Sequence, residues 1–224
     1  FQDNLRFETT IKKDLNQAFI KKPPIGSLSL FTQIKASAPQ ELLEMLHSSL
    51  MGAEFARIQA FIDTGGLFKD FKNPEMAKLL CRFYALKDSE KTHVLYFDRS
   101  GSESLADTPC AMSYDRTKKT YTQKVLTGLT PEYLSAQGLN TSNYIVYFDE
   151  RHAIGIDILL APNAIGIVTV DEKLSYNQFA QGVLRLRKFH TTQQILLVAQ
   201  KEVLETHTEA FETQERFLNF LTCN

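Results

Sequence analysis

Short apolar segments alternate with segments of helical periodicity between residues 57 and 200. Five segments are compact and apolar enough to predict buried strands, at 57–66, 92–98, 144–148, 164–170 and 193–200. Apolar residues recur at helical spacing after Pro74, after Pro131 and after Ser175, which predicts helices between the strands. Because parallel strands need a crossover, which is usually helical, this alternation predicts an α/β fold with a mainly parallel sheet flanked by helices.

The pattern changes at both ends of the chain and once in its middle. Residues 1–56 predict a helical lead-in and connector, with a helix over 1–20, an extended segment over 25–34 and a second helix from about residue 37. The polar stretch 99–128 predicts a loop or β insertion, in which 120–126 alternates like a hairpin strand. Residues 201–224 predict one acidic amphipathic helix packed on the domain formed by 57–200.

Composition and charge add limits on function. With 43% hydrophobic and 23% charged residues, the 224-residue chain has the composition of a globular protein, and its formal charge of −1 gives no overall attraction to nucleic acid or anionic lipid. No apolar run reaches the ~18 to 20 residues of a membrane span, and the first thirty residues lack the apolar region of a signal peptide. We therefore expect a soluble intracellular protein without membrane contact, cytoplasmic in its own cell or in a host cell if a bacterium secretes it. The chain begins with Phe1 rather than methionine, which indicates a piece of a longer polypeptide.

Polar residues cluster where predicted strands end and on the last crossover helix. Asp63, Thr64 and two glycines follow the first strand, and paired glycines permit a tight turn with close backbone approach. Residues 149–157, DERHAIGID, follow a later strand, where open α/β sheets place ligand-binding groups. The helix after Ser175 is expected to turn basic and polar groups partly outward: Gln181, Arg185, Arg187 and Lys188. Each cluster also has a purely structural alternative, namely a tight turn, a turn carboxylate and a solvated or ion-paired helix face.

Taken in order, these residues resemble motifs five and six of the second RecA-like domain of superfamily two helicases. The resemblance lies in Gly155 and Asp157 after one strand, a following strand, and a helix carrying Gln181 and arginines. The chain is more closely similar to the C-terminal portion of very large, poorly characterised eukaryotic and bacterial proteins, some labelled ubiquitinyl hydrolases. The shared patterns are IDTG at 62–65, YFDERHxxGxD at 147–157 and QxxxRxRK at 181–188, and together they cover about 58–200.

This resemblance implies a RecA-like domain that completes a nucleotide site carried by an upstream domain of the same polypeptide. ATP and Mg²⁺ would be shared with that domain, because the chain contains no GxxxxGK[ST] phosphate-binding loop and should not hydrolyse ATP alone. Arg185 or Arg187 would act as the arginine finger, although Arg187 is displaced by one position from the helicase spacing. The implied nucleotide-binding residues are Asp63, Thr64, Gly65, Gly155, Asp157 and Gln181, with Asp157 near the ribose.

A cysteine hydrolase is a second hypothesis, with ubiquitin as its implied partner. His152 lies among carboxylates, of which Asp149 is the first candidate to orient the imidazole. Cys110 would be the nucleophile, since Cys81 falls on a predicted helix and Cys223 lies beside the terminus. The three cysteines are too widely spaced to indicate a zinc cluster or a disulfide framework, so no metal site is predicted.

A catalytically inert interaction module is the third hypothesis. Its partner would be another protein, docking on an apolar stripe of the C-terminal helix. Nucleic acid is a further candidate partner, for which Lys118, Lys119 and Lys124 in the inserted segment are the available basic residues. A solvated loop is the favoured explanation of these three lysines.

Overall fold

The computed structural model describes residues 39–50, 52–87, 89–98, 107–152, 157–189, 191–199, 201–211 and 214–223. Seven strands are defined: β1 Ile58–Ile62, β2 His93–Asp98, β3 Thr108–Asp115, β4 Thr120–Val125, β5 Tyr144–Phe148, β6 Ile165–Val170 and β7 Gln194–Ala199. The helices are α1 Pro39–Ser49, α2 Gly52–Ala56, α3 Asn73–Leu86, α4 Pro131–Ala136, α5 Tyr176–Val183, α6 Lys201–Thr206 and α7 Gln214–Cys223, with a 3₁₀ turn at Thr208–Phe211.

All seven strands belong to one sheet in the order β4-β3-β2-β5-β1-β6-β7. Strands β2, β5, β1, β6 and β7 run parallel to one another, while β3 and β4 form a hairpin whose strand β3 pairs antiparallel with β2. The expected α/β fold with a mainly parallel sheet is therefore confirmed. The predicted hairpin strand at 120–126 is also confirmed, and the described part of the 99–128 segment extends the main sheet.

Helices cover both faces of this sheet, which explains why its central strands are continuously apolar. In β1, Phe61 packs on one face among residues of α1 and α3, whereas Ala60 and Ile62 pack on the other face among residues of α5. Every residue of β1, β5 and β6 is buried. Burial on both faces is typical of strands that are linked by crossover helices.

The chain changes direction across the sheet at β1 and β6, which are neighbours. From β1 the chain passes through α3 to β2, which lies toward the β4 edge of the sheet. From β6 it passes through α5 to β7, which forms the opposite edge. In open α/β sheets, the carboxyl ends of two such strands border a crevice in which ligands bind. The topology therefore predicts that a ligand would bind near the loops that follow β1 and β6.

Two predicted helices end earlier than their apolar periodicity suggests. Helix α5 starts as predicted, with Ser175 Oγ accepting a hydrogen bond from the Gln178 N–H at 3.3 Å, but it ends at Val183. Arg185 and Arg187 therefore lie in tight turns beyond the helix, and Arg185 is only 8% exposed instead of facing outward. The reason is packing, because Leu186 leaves the helix to cover Gly166 of β6.

The single C-terminal helix predicted over 201–224 is also wrong in its continuity. It is divided into α6, a turn at His207, the 3₁₀ turn and α7. His207 lies beside Glu172, with Nε2 and Oε1 3.3 Å apart, so the break brings the turn against the loop after β6. The predicted elements at 1–20 and 25–34 lie outside the described residues. Among the helices in the described ranges, none is long and apolar enough to cross a membrane.

Candidate functional site

The loop after β1 is built around the buried carboxylate of Asp63. Asp63 Oδ1 accepts hydrogen bonds from the Leu67 N–H at 2.8 Å and from Thr169 Oγ1 at 2.7 Å, and Oδ2 accepts from the Phe68 N–H at 3.0 Å. The side chain is 1% exposed, and burial raises its pKa to about 6 although these donors oppose the rise. Asp63 therefore positions the loop, and its two oxygen atoms are already engaged by the protein.

The same loop is fastened to the end of β6 through Thr169. Thr64 Oγ1 donates to the Thr169 carbonyl at 2.7 Å, and the Gly65 N–H donates to Thr169 Oγ1 at 2.9 Å. A Cβ on Gly65 would lie 2.7 Å from the backbone of Val170, so only glycine fits there without a shift of the chain. The predicted close backbone approach is present, and its partner in the described structure is β6.

A cleft of about 800 Å³ opens beside Asp63 at the carboxyl ends of β1, β2 and β5. Its lining includes Phe97, Tyr147 and Asp149. Basic side chains from the loop and from α3 also line it: Lys69, Lys72 and Lys78. The cleft thus combines aromatic side chains with charges of both signs, and two of the predicted site residues, Asp63 and Asp149, contribute to it.

His152 is held between two carboxylates at the edge of this region. Its Nδ1 lies 2.5 Å from Asp149 Oδ1, its Nε2 lies 2.9 Å from Asp107 Oδ2, and its ring stacks on Phe97 with the centroids 4.4 Å apart. Burial lowers the pKa of His152, but the bonds and charges of Asp149 and Asp107 outweigh burial and raise it above 6.5. The protonated imidazole, which donates from both nitrogen atoms, is therefore more stable at this position than in a free histidine.

Asn73 extends this cluster to the start of α3. Its Nδ2 donates to the Phe97 carbonyl at 2.8 Å and to Asp149 Oδ2 at 2.5 Å. Asparagine before Pro74 is a residue type that often caps helices, but Asn73 is the first helical residue and its amide is used on neighbouring strands instead. Burial raises the pKa of Asp149, but bonds from His152 and Asn73 dominate and hold it below 3.8.

Cys110 and His152 are not brought together. Cys110 pairs with Tyr96 across β3 and β2, and both side chains belong to the core on the α3 side of the sheet. His152 stacks on Phe97, whose side chain belongs to the core on the opposite side. Cys110 is 1% exposed and burial raises its thiol pKa, so a nucleophilic thiolate is disfavoured. Both nitrogen atoms of His152 are already engaged by carboxylates.

A second group of predicted residues meets beyond the end of α5. Arg187 Nε donates to Asp157 Oδ1 at 3.1 Å, and the side chains are 54% and 70% exposed. Arg185 Nε donates to the Gln181 carbonyl at 3.4 Å. Burial and the charge of Arg187 lower the pKa of Arg185, while the charge of Asp157 opposes this shift. Asp157, Gln181 and the two arginines therefore form one cluster, and none of them lines the cleft beside Asp63.

Several contacts that build these groups were not singled out from the sequence. Thr169 is a polar residue inside an apolar strand, which is a signal that the sequence contains. Asp107 has no such signal, because only the fold brings it to His152. Gly155, the remaining predicted nucleotide-binding residue, lies outside the described residues. Over the ranges that the structure covers, no three His, Cys, Asp or Glu side chains are grouped so that they could hold a metal ion.

Comparison with known proteins adds no relative to this picture. No family model matches the chain, and neither the curated proteins nor the solved structures contain a match to it.

Proposed function

We propose that this chain is the C-terminal RecA-like half of a helicase-like, nucleotide-dependent module. An upstream domain of the same polypeptide binds the phosphates of ATP together with Mg²⁺, and this chain closes over them. Arg187 is the arginine finger, and Asp157 orients it. Arg185 is the more buried arginine of the same cluster. The loop formed by Asp63, Thr64 and Gly65 shapes the sheet edge that faces the nucleotide.

The strand order supports this proposal at the level of topology. The parallel strands, taken in chain order, are arranged second-third-first-fourth-fifth, and the first and fourth carry crossovers in opposite directions. Such a sheet supports ligand binding at the carboxyl ends of these strands. The fastened loop after β1 gives that edge a fixed shape, because Thr169 holds it to β6.

The observation that carries the proposal is that Arg187 is exposed and is held by Asp157. Its Nε is held by Asp157, and no bond from its two terminal nitrogen atoms is found among the residues that the structure describes. A guanidinium held through Nε presents its remaining donors in a fixed fork, which suits phosphate oxygens. An arginine placed in this way stabilises the charge that develops on a transferred phosphoryl group.

The decisive experiment measures ATP hydrolysis by the longest natural polypeptide that contains these 224 residues. Arginine fingers contribute about 10³- to 10⁵-fold to kcat, so Arg187→Ala should lower kcat by about 10³-fold or more with a smaller change in KM. Arg187→Lys should remain strongly impaired, because lysine keeps the charge but lacks the planar fork.

Arg216→Ala is the matched control. Arg216 is also about half exposed, and its Nη1 lies 3.9 Å from a carboxylate oxygen of Glu209. It belongs to α7 rather than to the predicted site, so its removal should leave kcat unchanged. The proposal fails if wild type does not hydrolyse ATP, which would favour an inert module, or if Arg187→Ala matches Arg216→Ala. Among the residues that the structure describes, no contact of Cys110 or His152 favours the cysteine hydrolase.

A further inference from the structure

A second pocket lies at the amino ends of the parallel strands, away from the loops that follow β1 and β6. It has a volume of about 510 Å³ and is bordered by the end of α2, the start of β1, the segment before β2 and the turns before β5 and β6. This size falls within the range of sites that bind small molecules, which is about 300 to 1,000 Å³. None of its lining residues belongs to the candidate site described above.

Lys91 is the most buried charged residue of this pocket. Its side chain is 7% exposed, and its ammonium group donates one hydrogen bond, to the Thr141 carbonyl at 3.1 Å. An ammonium group has three donors, and within the described ranges no carboxylate oxygen lies within 4 Å of it. Burial lowers the pKa of Lys91 to about 8, and Glu90 opposes this shift from a longer distance. A buried cation without a close counter-ion is costly, so an anion bound beside it would be favourable.

Arg57 provides a second, half-buried cation, for which no close carboxylate partner is found among the described residues. Its Nε donates to the Asn163 carbonyl at 2.8 Å and its Nη2 donates to Gln194 Oε1 at 3.1 Å. Both acceptors are neutral, so they fix the direction of the guanidinium without compensating its charge. In contrast, the neighbouring Lys87 is paired with Glu44, with Nζ and Oε2 3.0 Å apart.

Gln59 keeps the floor of the pocket rigid. It is fully buried in the central strand β1, where its Nε2 donates to the Thr141 carbonyl at 2.7 Å and its Oε1 accepts from the Ala161 N–H at 2.6 Å. The Thr141 carbonyl therefore receives both Gln59 and Lys91. This shared acceptor fixes the ammonium of Lys91 relative to the sheet, so its charge is preorganised rather than mobile.

We infer that this pocket binds a phosphate-bearing small molecule, with Lys91 and Arg57 contacting the phosphate. Two cations without close carboxylate partners match the double negative charge of a phosphate monoester better than the single charge of a carboxylate. Phe55 supplies an apolar wall for the organic part of the ligand. The inference does not depend on the proposed nucleotide role, because it uses none of the same residues.

This inference is tested by titrating the chain with inorganic phosphate and with phenyl phosphate at constant ionic strength. Binding is measured from amide chemical shifts in ¹H–¹⁵N NMR. We expect shifts at Gln59, Thr141 and Asn163, and tighter binding of phenyl phosphate than of inorganic phosphate. Lys91→Met and Arg57→Gln should each weaken binding by about tenfold or more, since each removes a charged donor. Lys87→Met is the matched control and should change the affinity by less than about threefold, because that lysine is already paired.

The mapping on wild type keeps the test informative if Lys91→Met does not fold. Shifts centred on the Asp63 loop, or no saturable shifts at all, would overturn the inference. Acetate binding as tightly as phosphate would overturn the assignment of the ligand class. Equal losses in Lys87→Met and Lys91→Met would show that only the general charge of the region matters, and would also contradict it.

Discussion

Asp63 and His152 are buried ionisable residues that lie after the ends of strands. Their surroundings have opposite effects on the stability of the charged side chain. The described donors to the Asp63 carboxylate are all neutral, so burial prevails and its pKa rises to about 6. His152 faces two carboxylates, so attraction prevails over burial and its pKa also rises. The charged form is therefore disfavoured for Asp63 and favoured for His152. In both cases the contribution to the free energy of unfolding is lost as pH rises, over a pH range that begins near the ordinary pKa of each group.

The free energy of unfolding should depend on pH through Asp63. Because its folded-state pKa of about 6 exceeds its ordinary value of 3.8, its contribution is complete below pH 3.8 and is lost as pH rises through 6. The shift corresponds to about 3 kcal/mol. Urea unfolding of wild type and Asp63→Asn between pH 4 and pH 7 should show wild type losing up to that amount relative to the variant.

Asp70→Asn gives the background for this measurement, since Asp70 is an exposed carboxylate on the same loop. Its difference from wild type should be less than about 0.5 kcal/mol at each pH. A constant difference between wild type and Asp63→Asn across the range would show that the Asp63 pKa is not raised by folding.

His152 should titrate above pH 6.5, and the shift should depend on Asp107. NMR titration of the imidazole should give a lower pKa in Asp107→Asn than in wild type, because one of the two carboxylates is lost. The stabilising effect of His152 should be complete below pH 6.5 and disappear as pH rises through the folded-state pKa. Asp115→Asn, which removes a partly exposed carboxylate at the end of β3, should leave the His152 titration unchanged. If the pKa of His152 is the same in Asp107→Asn as in wild type, Asp107 does not stabilise the protonated imidazole.

At the scale of elements, the contact between α5 and the end of β1 depends on Gly182. A Cβ at this position would lie 2.3 Å from Thr64 Cγ2 and 3.2 Å from Ile62 Cγ2. Gly182→Ala should therefore destabilise the protein by about 1 to 3 kcal/mol, although alanine is favoured by about 1 kcal/mol in an unobstructed helix. The midpoint of urea unfolding measures this effect.

Two further variants identify the cause of that destabilisation. Thr64→Ser removes Cγ2 and keeps the hydroxyl that donates to Thr169, so adding it to Gly182→Ala should recover most of the lost stability. Gly52→Ala places a Cβ where no atom lies within 4 Å, and its unfolding midpoint should not fall. If the double variant is no more stable than Gly182→Ala, the clash with Thr64 is not the cause.

Strands were easier to predict than helix ends because their signals have different ranges. The strand from Tyr144 to Phe148 is a continuous apolar run, and such a run identifies a strand buried on both faces from local sequence alone. The end of α5 depends instead on Leu186 packing against Gly166 of another strand. That contact is set by tertiary structure, which overrides the helical periodicity of the following residues.

At the scale of the whole molecule, the same difference explains which parts of the candidate site could be predicted. The sequence places polar loops after β1 and β5, so the location of Asp63 and Asp149 at one edge follows from parallel strands. Whether Cys110 and His152 meet depends on the faces of β2 to which their neighbours Tyr96 and Phe97 point. The strand order and register decide this, and a short motif contains neither. Lys91 was missed for the same reason.

The hairpin of β3 and β4 should unfold together with the rest of the domain. Cys110 of β3 and Cys81 of α3 are buried in one core, and Cys81 Sγ donates to the Met112 carbonyl at 3.0 Å. In Cys223→Ser, which leaves only these two thiols, a disulfide reagent at increasing urea concentration should label both with the same dependence on urea. That dependence should equal the slope of global unfolding, because both thiols become accessible only in the unfolded state.

The contrasting outcome has a specific structural meaning. If the hairpin opens locally, Cys110 will be labelled faster than Cys81 and with a weaker dependence on urea, which mass spectrometry of the labelled peptides would detect. Such a result would make the hairpin a separate insertion on a five-stranded parallel core. Equal labelling would make β3 and β4 an integral part of a seven-stranded domain. The antiparallel pairing of β2 with β3 from His93 to Asp98 favours equal labelling, since opening the hairpin would expose the edge of β2 and one side of the shared core.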